Sequence, residues 1–252
     1  VKALITGASA GIGKAYAHQL ARAGYDLVLT ARRETRLNEI RDSLQARHSV
    51  TVEVLPADLT SDDDLARLEN YLADNGVNML INNAGFGTDG KFIEVDVGRH
   101  LDMIDVHLKA TIRLTYAALP NMIKQRSGTI INVSSIAAFM TRGGSPNYSS
   151  TKAYLNVFSK NLQGEMRDFG IKVQALCPGF TYTEFHDTSD HHTFKRSDIP
   201  DILWMSADEV VTASLLALKS NRVVVVPGYQ NRLITTFGGT KILGIARNVL
   251  RL

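Results

Sequence analysis

The sequence predicts an α/β protein built on one doubly wound, mostly parallel sheet of seven strands with helices on both faces. Three observations predict it. Seven short apolar, β-branched runs recur along the 252 residues. Longer stretches of helical period separate them. The runs are apolar without alternation, as in strands covered on both faces.

The elements follow in order. VKALIT (residues 1–6) opens the sheet and leads into a helical stretch at residues 11–23. DLVLTA (26–31) leads to residues 34–47, TVEVLPA (51–57) to 61–75, and VNMLINNA (77–84) to 97–124. GTIINVSS (128–135) precedes a helix at 147–169. IKVQALCPG (171–179) precedes an irregular segment and a helix at 207–219, and VVVVP (223–227) completes the sheet. Strand–helix alternation implies right-handed crossovers. No linker composition interrupts it, so a single domain over residues 1–252 is expected.

Composition narrows the function. The apolar fraction is 44% and the net charge +3, which gives no whole-chain reason to expect nucleic-acid binding. Cys177 is the only cysteine, so an intrachain disulfide is excluded and a reducing compartment fits. The first residues read as a buried strand rather than a signal peptide. No uncharged apolar stretch is long enough to span a bilayer. A soluble, cytoplasmic protein is expected.

In such a sheet, ligands sit outside the carboxyl ends of the strands, where strand order reverses. The loop after the first strand, TGASAGIG, carries Gly7, Gly11 and Gly13 and opens a helix. Unpaired N–H groups and the positive dipole end would face an anion there. Gly7 would allow a tight turn; Gly11 and Gly13 would allow close approach and helix–strand packing. The spacing is T-G-x-x-x-G-x-G, and a plain turn is the competing reading.

In dinucleotide sites an acidic residue at the end of the second strand holds the ribose 2′-OH, whereas an arginine accommodates a 2′-phosphate. Here Ala31 is followed by Arg32 and Arg33, two guanidinium forks suited to a phosphomonoester. That favours NADP(H) over NAD(H) if the loop binds a dinucleotide. The bland alternative is two solvated arginines.

YSSTK places Tyr148 and Lys152 one helical turn apart on one face. A phenol with an ordinary pKa near 10 is a poor acid or base at neutrality, and a nearby ammonium lowers that pKa. The pair therefore suits tuned proton transfer. Ser134 and Ser135 end a strand at the carboxyl edge, where a hydroxyl could hold a carbonyl oxygen near the phenol.

TGASAGIG, NNAG (82–85), Ser135, YSSTK and CPGFTYT (177–183), in this order, resemble the short-chain dehydrogenase/reductase family from Val1 to about Gly228. The resemblance implies a Rossmann-type fold and hydride transfer between a nicotinamide cofactor and a small-molecule carbonyl or alcohol. Ser135, 13 positions before Tyr148, matches the catalytic serine. Tyr148 would exchange a proton with the substrate oxygen, Lys152 would lower its pKa and bond the nicotinamide ribose, and Ser135 would polarise the carbonyl. Cofactor positions would be Gly7, Ser9, Gly11, Ile12, Gly13, Arg32, Arg33, Asp58, Leu59, Asn83, Ala84 and Gly85, with Tyr148, Lys152, Pro178, Gly179, Thr181 and Thr183. A non-catalytic dinucleotide-binding regulator or scaffold is the alternative function.

One position departs from the pattern. His107, in DVHLKAT, stands where the family carries an asparagine that supports a water linking the lysine to solvent. A histidine could join that relay, displace its water or simply pack. It is counted with the candidate catalytic set.

The segment at about 180–204 lacks periodicity and reads as a lid over the substrate. Phe180, Tyr182, Phe185 and Trp204 are candidate substrate contacts that hint at an apolar ligand, although such aromatics also anchor loops. His186, His191 and His192 lack a metal-ligand spacing, and no metal is expected. After Glu209 every charged residue is basic, and residues 229–252 form a basic amphipathic extension. Packing on the domain or across a homodimer is favoured over peripheral contact with an anionic membrane. The chain has VPGYQNR where the family often ends in a tetramer-building D-G-G. A dimer through the helices at 97–124 and 147–169 is therefore the expected oligomer.

Overall fold

The structure, a computed structural model, describes residues 1–140, 146–186, 196–220 and 222–237. Its strands are β1 (Lys2–Thr6), β2 (Asp26–Thr30), β3 (Val52–Val54), β4 (Met79–Asn82), β5 (Gly128–Val133), β6 (Ile171–Leu176), β7 (Thr181–Tyr182), β8 (Met205–Ser206) and β9 (Val224–Val225). Its helices are α1 (Gly11–Arg22), α2 (Glu34–Gln45), α3 (Asp62–Asn75), α4 (Val97–Ile104), α5 (Ala110–Gln125), α6 (Pro146–Met166), α7 (Ala207–Ala217) and α8 (Tyr229–Phe237). The seven expected strands form one parallel sheet in the order β3-β2-β1-β4-β5-β6-β9. A short parallel pair, β7 with β8, was not anticipated.

Each face of the sheet has its own apolar layer. On one, Leu20 of α1, Leu37 and Leu44 of α2 and Val211 of α7 pack against Ile5, Leu29 and Ile81. On the other, Leu68 and Leu72 of α3, Leu114 of α5 and Leu162 of α6 cover Leu4, Val28, Leu80 and Ile130. Full burial of one such leucine is worth roughly 1.5–3 kcal/mol, so the continuous apolar strand runs are what hold the layers together.

Strand order reverses between β4 and β2 on either side of β1. At that point Thr6 Oγ1 accepts hydrogen bonds from the backbone N–H groups of Asn83 and Ala84, each at 2.9 Å. The chain thus leaves β4 at Asn82 instead of continuing as strand to residue 84. A crevice results at the carboxyl edge. Behind it, Asn82 donates to Asn132 Oδ1 (2.9 Å) and Asn132 to Ser159 Oγ (2.9 Å), a buried polar chain tying β4, β5 and α6 together.

The long helix expected at 97–124 is interrupted. A π-helical turn, Asp105–Lys109, separates α4 from α5 and contains His107. Such turns often mark functional positions. Among the described residues, no helix is long and apolar enough to cross a membrane. His191, His192 and residues 238–252, which hold most of the basic extension, lie outside the described residues.

Candidate active site

The glycine loop joins β1 to α1 at the crevice. Ala10 is the N-cap of α1 and supplies no side-chain hydrogen bond to the first turn, whereas Ser61 caps α3 and Ser206 caps α7. The orphan N–H groups of α1 are left for an anion. Gly7 has φ +64° and Gly11 φ +53°. A Cβ on Gly13 would fall 2.4 Å from the Gly7 carbonyl oxygen, so α1 packs onto the loop only with glycine there. A Cβ on Gly11 would press on Thr183, 3.0 Å away, which brings the segment after β6 across the loop. Ile12 packs against the core beneath.

A cleft of about 660 Å³ opens here, lined in part by Ser9, Gly11, Lys14, Arg36, Glu184 and Arg196. Arg33 reaches back to Ser9 Oγ through Nε (3.2 Å) and a terminal nitrogen (2.9 Å). Burial raises the Asp58 carboxyl, but hydrogen bonds from the Thr60 backbone and hydroxyl, and then the Arg32 charge, hold it below its ordinary range. Leu59 is buried in the core. An uncapped helix start, a glycine cradle and several guanidinium groups fit a phosphate-bearing dinucleotide.

Across the crevice, β5 ends beside α6. Ser134 is buried and donates to the Lys152 carbonyl oxygen at 2.8 Å, which excludes it from substrate work. Ser135 caps the following 3-10 turn (Ile136–Phe139), accepting from the Ala137 N–H at 3.1 Å. It also hydrogen-bonds the Tyr148 phenol. Burial pushes that phenol up to about 12, against the lowering effect of Ser135. Lys152 is 3% exposed, and its Nζ donates to the Val133 carbonyl oxygen at 2.8 Å. The ammonium lies 5.6 Å from the Tyr148 ring centre, and burial brings its own pKa down to about 7. The drop in phenol pKa expected from the sequence is therefore outweighed by burial: Tyr148 is held as a neutral phenol and Lys152 is poised to titrate near neutrality.

His107 bridges the loop after β4 and helix α6. Its Nε2 accepts from the Phe86 N–H at 3.1 Å. The proton therefore sits on Nδ1, 2.9 Å from Thr151 Oγ1, whose hydroxyl donates to the Tyr148 carbonyl oxygen at 2.9 Å. Burial first, then the Lys152 charge, holds the imidazole well below its ordinary pKa. Both ring nitrogens are committed to protein partners, which favours packing over a water relay. A Cβ on Gly85 would lie 2.8 Å from His107 Nε2 and 3.4 Å from Lys152 Nζ, so glycine lets the NNAG loop close on both. Asn83 donates to the Thr6 carbonyl oxygen at 2.8 Å, and Ala84 is anchored by Thr6 as described.

The carboxyl end of β6 completes the wall. The Pro178 carbonyl oxygen accepts from the Ile136 N–H at 2.9 Å, and Thr181 Oγ1 donates to the Gly179 carbonyl oxygen at 3.0 Å. The four candidate aromatics separate. Phe185 approaches Tyr148, with ring centres 6.0 Å apart. Tyr182 instead stacks on Trp204 (4.8 Å), with Phe180 at 5.5 Å, and the Trp204 indole is buried. These three anchor the β7–β8 pair.

Sequence reasoning missed Phe86, Thr151, Arg36 and Glu184. Thr151 lies inside the YSSTK motif and Glu184 directly follows CPGFTYT, so position was an available signal. Their partners are distant in sequence and carried none.

Residues 2–193 match the family model described as short chain dehydrogenase. An uncharacterized oxidoreductase of Staphylococcus saprophyticus is 34% identical over 202 residues, covering 79% of this chain and 86% of its own. A short-chain dehydrogenase from Sphingobium yanoikuyae, solved in complex with NADPH, superposes with a TM-score of 0.85 at 34% identity, covering 96% of this chain and 94% of its own. A bulky-bulky ketone specific alcohol dehydrogenase from Comamonas testosteroni gives 0.80 at 32% identity, covering 94% and 92%. With the glycine crevice, Ser135, Tyr148 and Lys152 in one fold, the chain belongs to the short-chain dehydrogenase family of oxidoreductases.

Proposed function

We propose that the protein is an NADP(H)-dependent oxidoreductase interconverting a carbonyl and a secondary alcohol on a small, fairly apolar substrate. The carrying observation is the convergence of Ser135, Tyr148 and Lys152 beside the uncapped glycine loop. Arg33 bound to Ser9 of that loop supports the phosphate reading, as does the NADPH complex of the Sphingobium relative. Phe86 and Phe185, flanking His107 and Tyr148, support an apolar substrate. The ketone named for the Comamonas enzyme agrees in class.

In this reading the glycine loop and the first N–H groups of α1 hold the pyrophosphate, and Arg32 and Arg33 the 2′-phosphate. Asp58 and Leu59 flank adenine. Asn83, Ala84, Gly85, Pro178, Gly179, Thr181 and Thr183 line the rest of the cofactor's path. The bound nicotinamide supplies or accepts the hydride.

The chain's own residues handle the proton. In reduction Tyr148, a neutral phenol in the free site, gives its proton to the substrate oxygen; in oxidation its phenolate takes the proton of the substrate hydroxyl. Ser135 donates a hydrogen bond to the same oxygen and fixes its position. Lys152 places a titratable positive charge near the phenol, favouring the phenolate left behind. His107 positions the Phe86 backbone and, through Thr151, the first turns of α6.

The reading extends to a cytoplasmic homodimer formed through α5 and α6, whose Ile112, Tyr116, Tyr154 and Val157 are exposed. It takes the whole chain as one domain. Fluorescence titration with NADPH and NADH tests the cofactor assignment. Tighter NADPH binding that is lost in Arg32→Ala or Arg33→Ala is expected; equal affinities in the wild type would contradict it.

A further inference from the structure

The guanidinium pair at the mouth of the crevice already holds an anion of the protein's own. Arg33 bonds Ser9 on one side, and on the other its NH1 bonds Glu184 Oε2 at 2.8 Å. Arg36, one turn along α2, takes the other carboxylate oxygen, Oε1. Glu184 is therefore forked between two arginines, one of them in contact with the glycine loop. A phosphomonoester makes the same contacts with the same groups.

The carboxylate belongs to the segment after β6, which lies across the loop. Thr183, its neighbour, fills the space a Cβ on Gly11 would need, and the Thr183 carbonyl oxygen accepts from Arg196 at 2.7 Å. On the other side Phe185 approaches the Tyr148 ring. Three consecutive residues thus connect the glycine loop, the arginine pair and the phenol. The pairs are wet: side-chain exposure is 45% for Arg33, 46% for Arg36 and 49% for Glu184. Exposed ion pairs are weak, so an incoming dianion can displace this one. The two arginines also keep the Glu184 carboxyl below the usual range, so it is charged at neutral pH.

We infer that Glu184 is an internal competitor for the cofactor's 2′-phosphate, occupying Arg33 and Arg36 in the free protein and yielding Arg33 when the phosphate binds. The inference rests on the NADP(H) reading above and deepens it. Glu184 then determines how strongly the enzyme discriminates between cofactors. Phe185, the next residue, already lies 6.0 Å from the Tyr148 ring, so release of Glu184 shifts that contact and couples the phosphate end of the crevice to the substrate end.

Calorimetric titration with 2′,5′-ADP and with 5′-AMP isolates the phosphate, because the two probes differ only there. Glu184→Gln keeps the side chain's size at an exposed position. It is expected to bind 2′,5′-ADP about fivefold or more tighter than wild type, a shift of about 1 kcal/mol, with 5′-AMP affinity unchanged. Arg33→Ala is expected to lose the preference for 2′,5′-ADP. If Arg33→Ala loses that preference but Glu184→Gln binds 2′,5′-ADP no more tightly than wild type, the competitor role is overturned and the cofactor reading stands. If neither wild type nor Glu184→Gln prefers 2′,5′-ADP, both fall. Trp204 fluorescence gives a second readout through Tyr182, which is stacked on it in the same segment. It should respond to 2′,5′-ADP and not to 5′-AMP in the wild type; an identical response to both would contradict movement of the segment.

Discussion

The Phe86 backbone N–H donates to His107 Nε2 over 3.1 Å, and this one bond ties the loop after β4 to the π-helical turn before α5. It also fixes the tautomer that lets Nδ1 engage Thr151. The imidazole acts here as a neutral clamp between the NNAG loop and the helix carrying Tyr148.

A neutral buried imidazole makes stability depend on pH. Below about pH 6.5 the unfolded chain takes up a proton on this group while the folded chain does not. Stability therefore falls as pH falls through that range, by up to about 1.4 kcal/mol per pH unit for one proton. In His107→Asn the slope between pH 6.5 and 5 should flatten, and the lost clamp should lower stability at pH 7.5 by about 1–3 kcal/mol. Denaturant unfolding across pH measures both. An unchanged slope would remove His107 as its source.

Lys152 behaves oppositely to a surface lysine. Its folded pKa, about 7, lies below the unfolded value near 10.4, so the unfolded state binds more protons between them. Stability from this group rises as pH rises from about 7 to 10. Lys152→Met lacks the buried charge, so it should be more stable than wild type at pH 6.5, with that advantage shrinking toward pH 10. Its turnover should fall by about a hundredfold or more. Thermal unfolding of both proteins at several pH values, with turnover measured alongside, checks each part.

The adjacent serines separate structure from chemistry. Ser134→Ala removes a buried donor to the Lys152 carbonyl and should cost about 1 kcal/mol of stability. Ser135→Ala also loses the cap on the Ala137 N–H and should cost about 0.5–2 kcal/mol, while kcat drops about a hundredfold. Equal effects of the two substitutions on kcat would mean that the hydroxyl of Ser135 has no special place.

Much of this architecture was legible because strand hydrophobicity is a local signal. All seven runs became strands of one parallel sheet, and the edges show where the signal weakens. β3 and β9 pair on one side only, and each is shorter than its apolar run. β4 stops at Asn82 because Thr6, 77 positions away, captures the next N–H. The candidate catalytic set was legible because Ser135 and the Tyr148 of YSSTK stand 13 positions apart, as the family resemblance implies. The His107 partners and the Glu184–Arg36 pair, 148 positions apart, depend on long-range closure that no local pattern encodes. Likewise the aromatics of the segment after β6 looked equivalent in sequence, but Phe180 and Tyr182 gather on Trp204 beside the β7–β8 pair while Phe185 approaches Tyr148.

The most direct test of the central claim is single-turnover oxidation of NADPH by a panel of apolar ketones, in wild type and Tyr148→Phe, with NADPH affinity measured on the same samples. The account predicts turnover in the wild type and a loss of about a hundredfold or more in Tyr148→Phe, with cofactor affinity within about twofold, a free-energy change of about 0.4 kcal/mol. Undiminished turnover in Tyr148→Phe would contradict it.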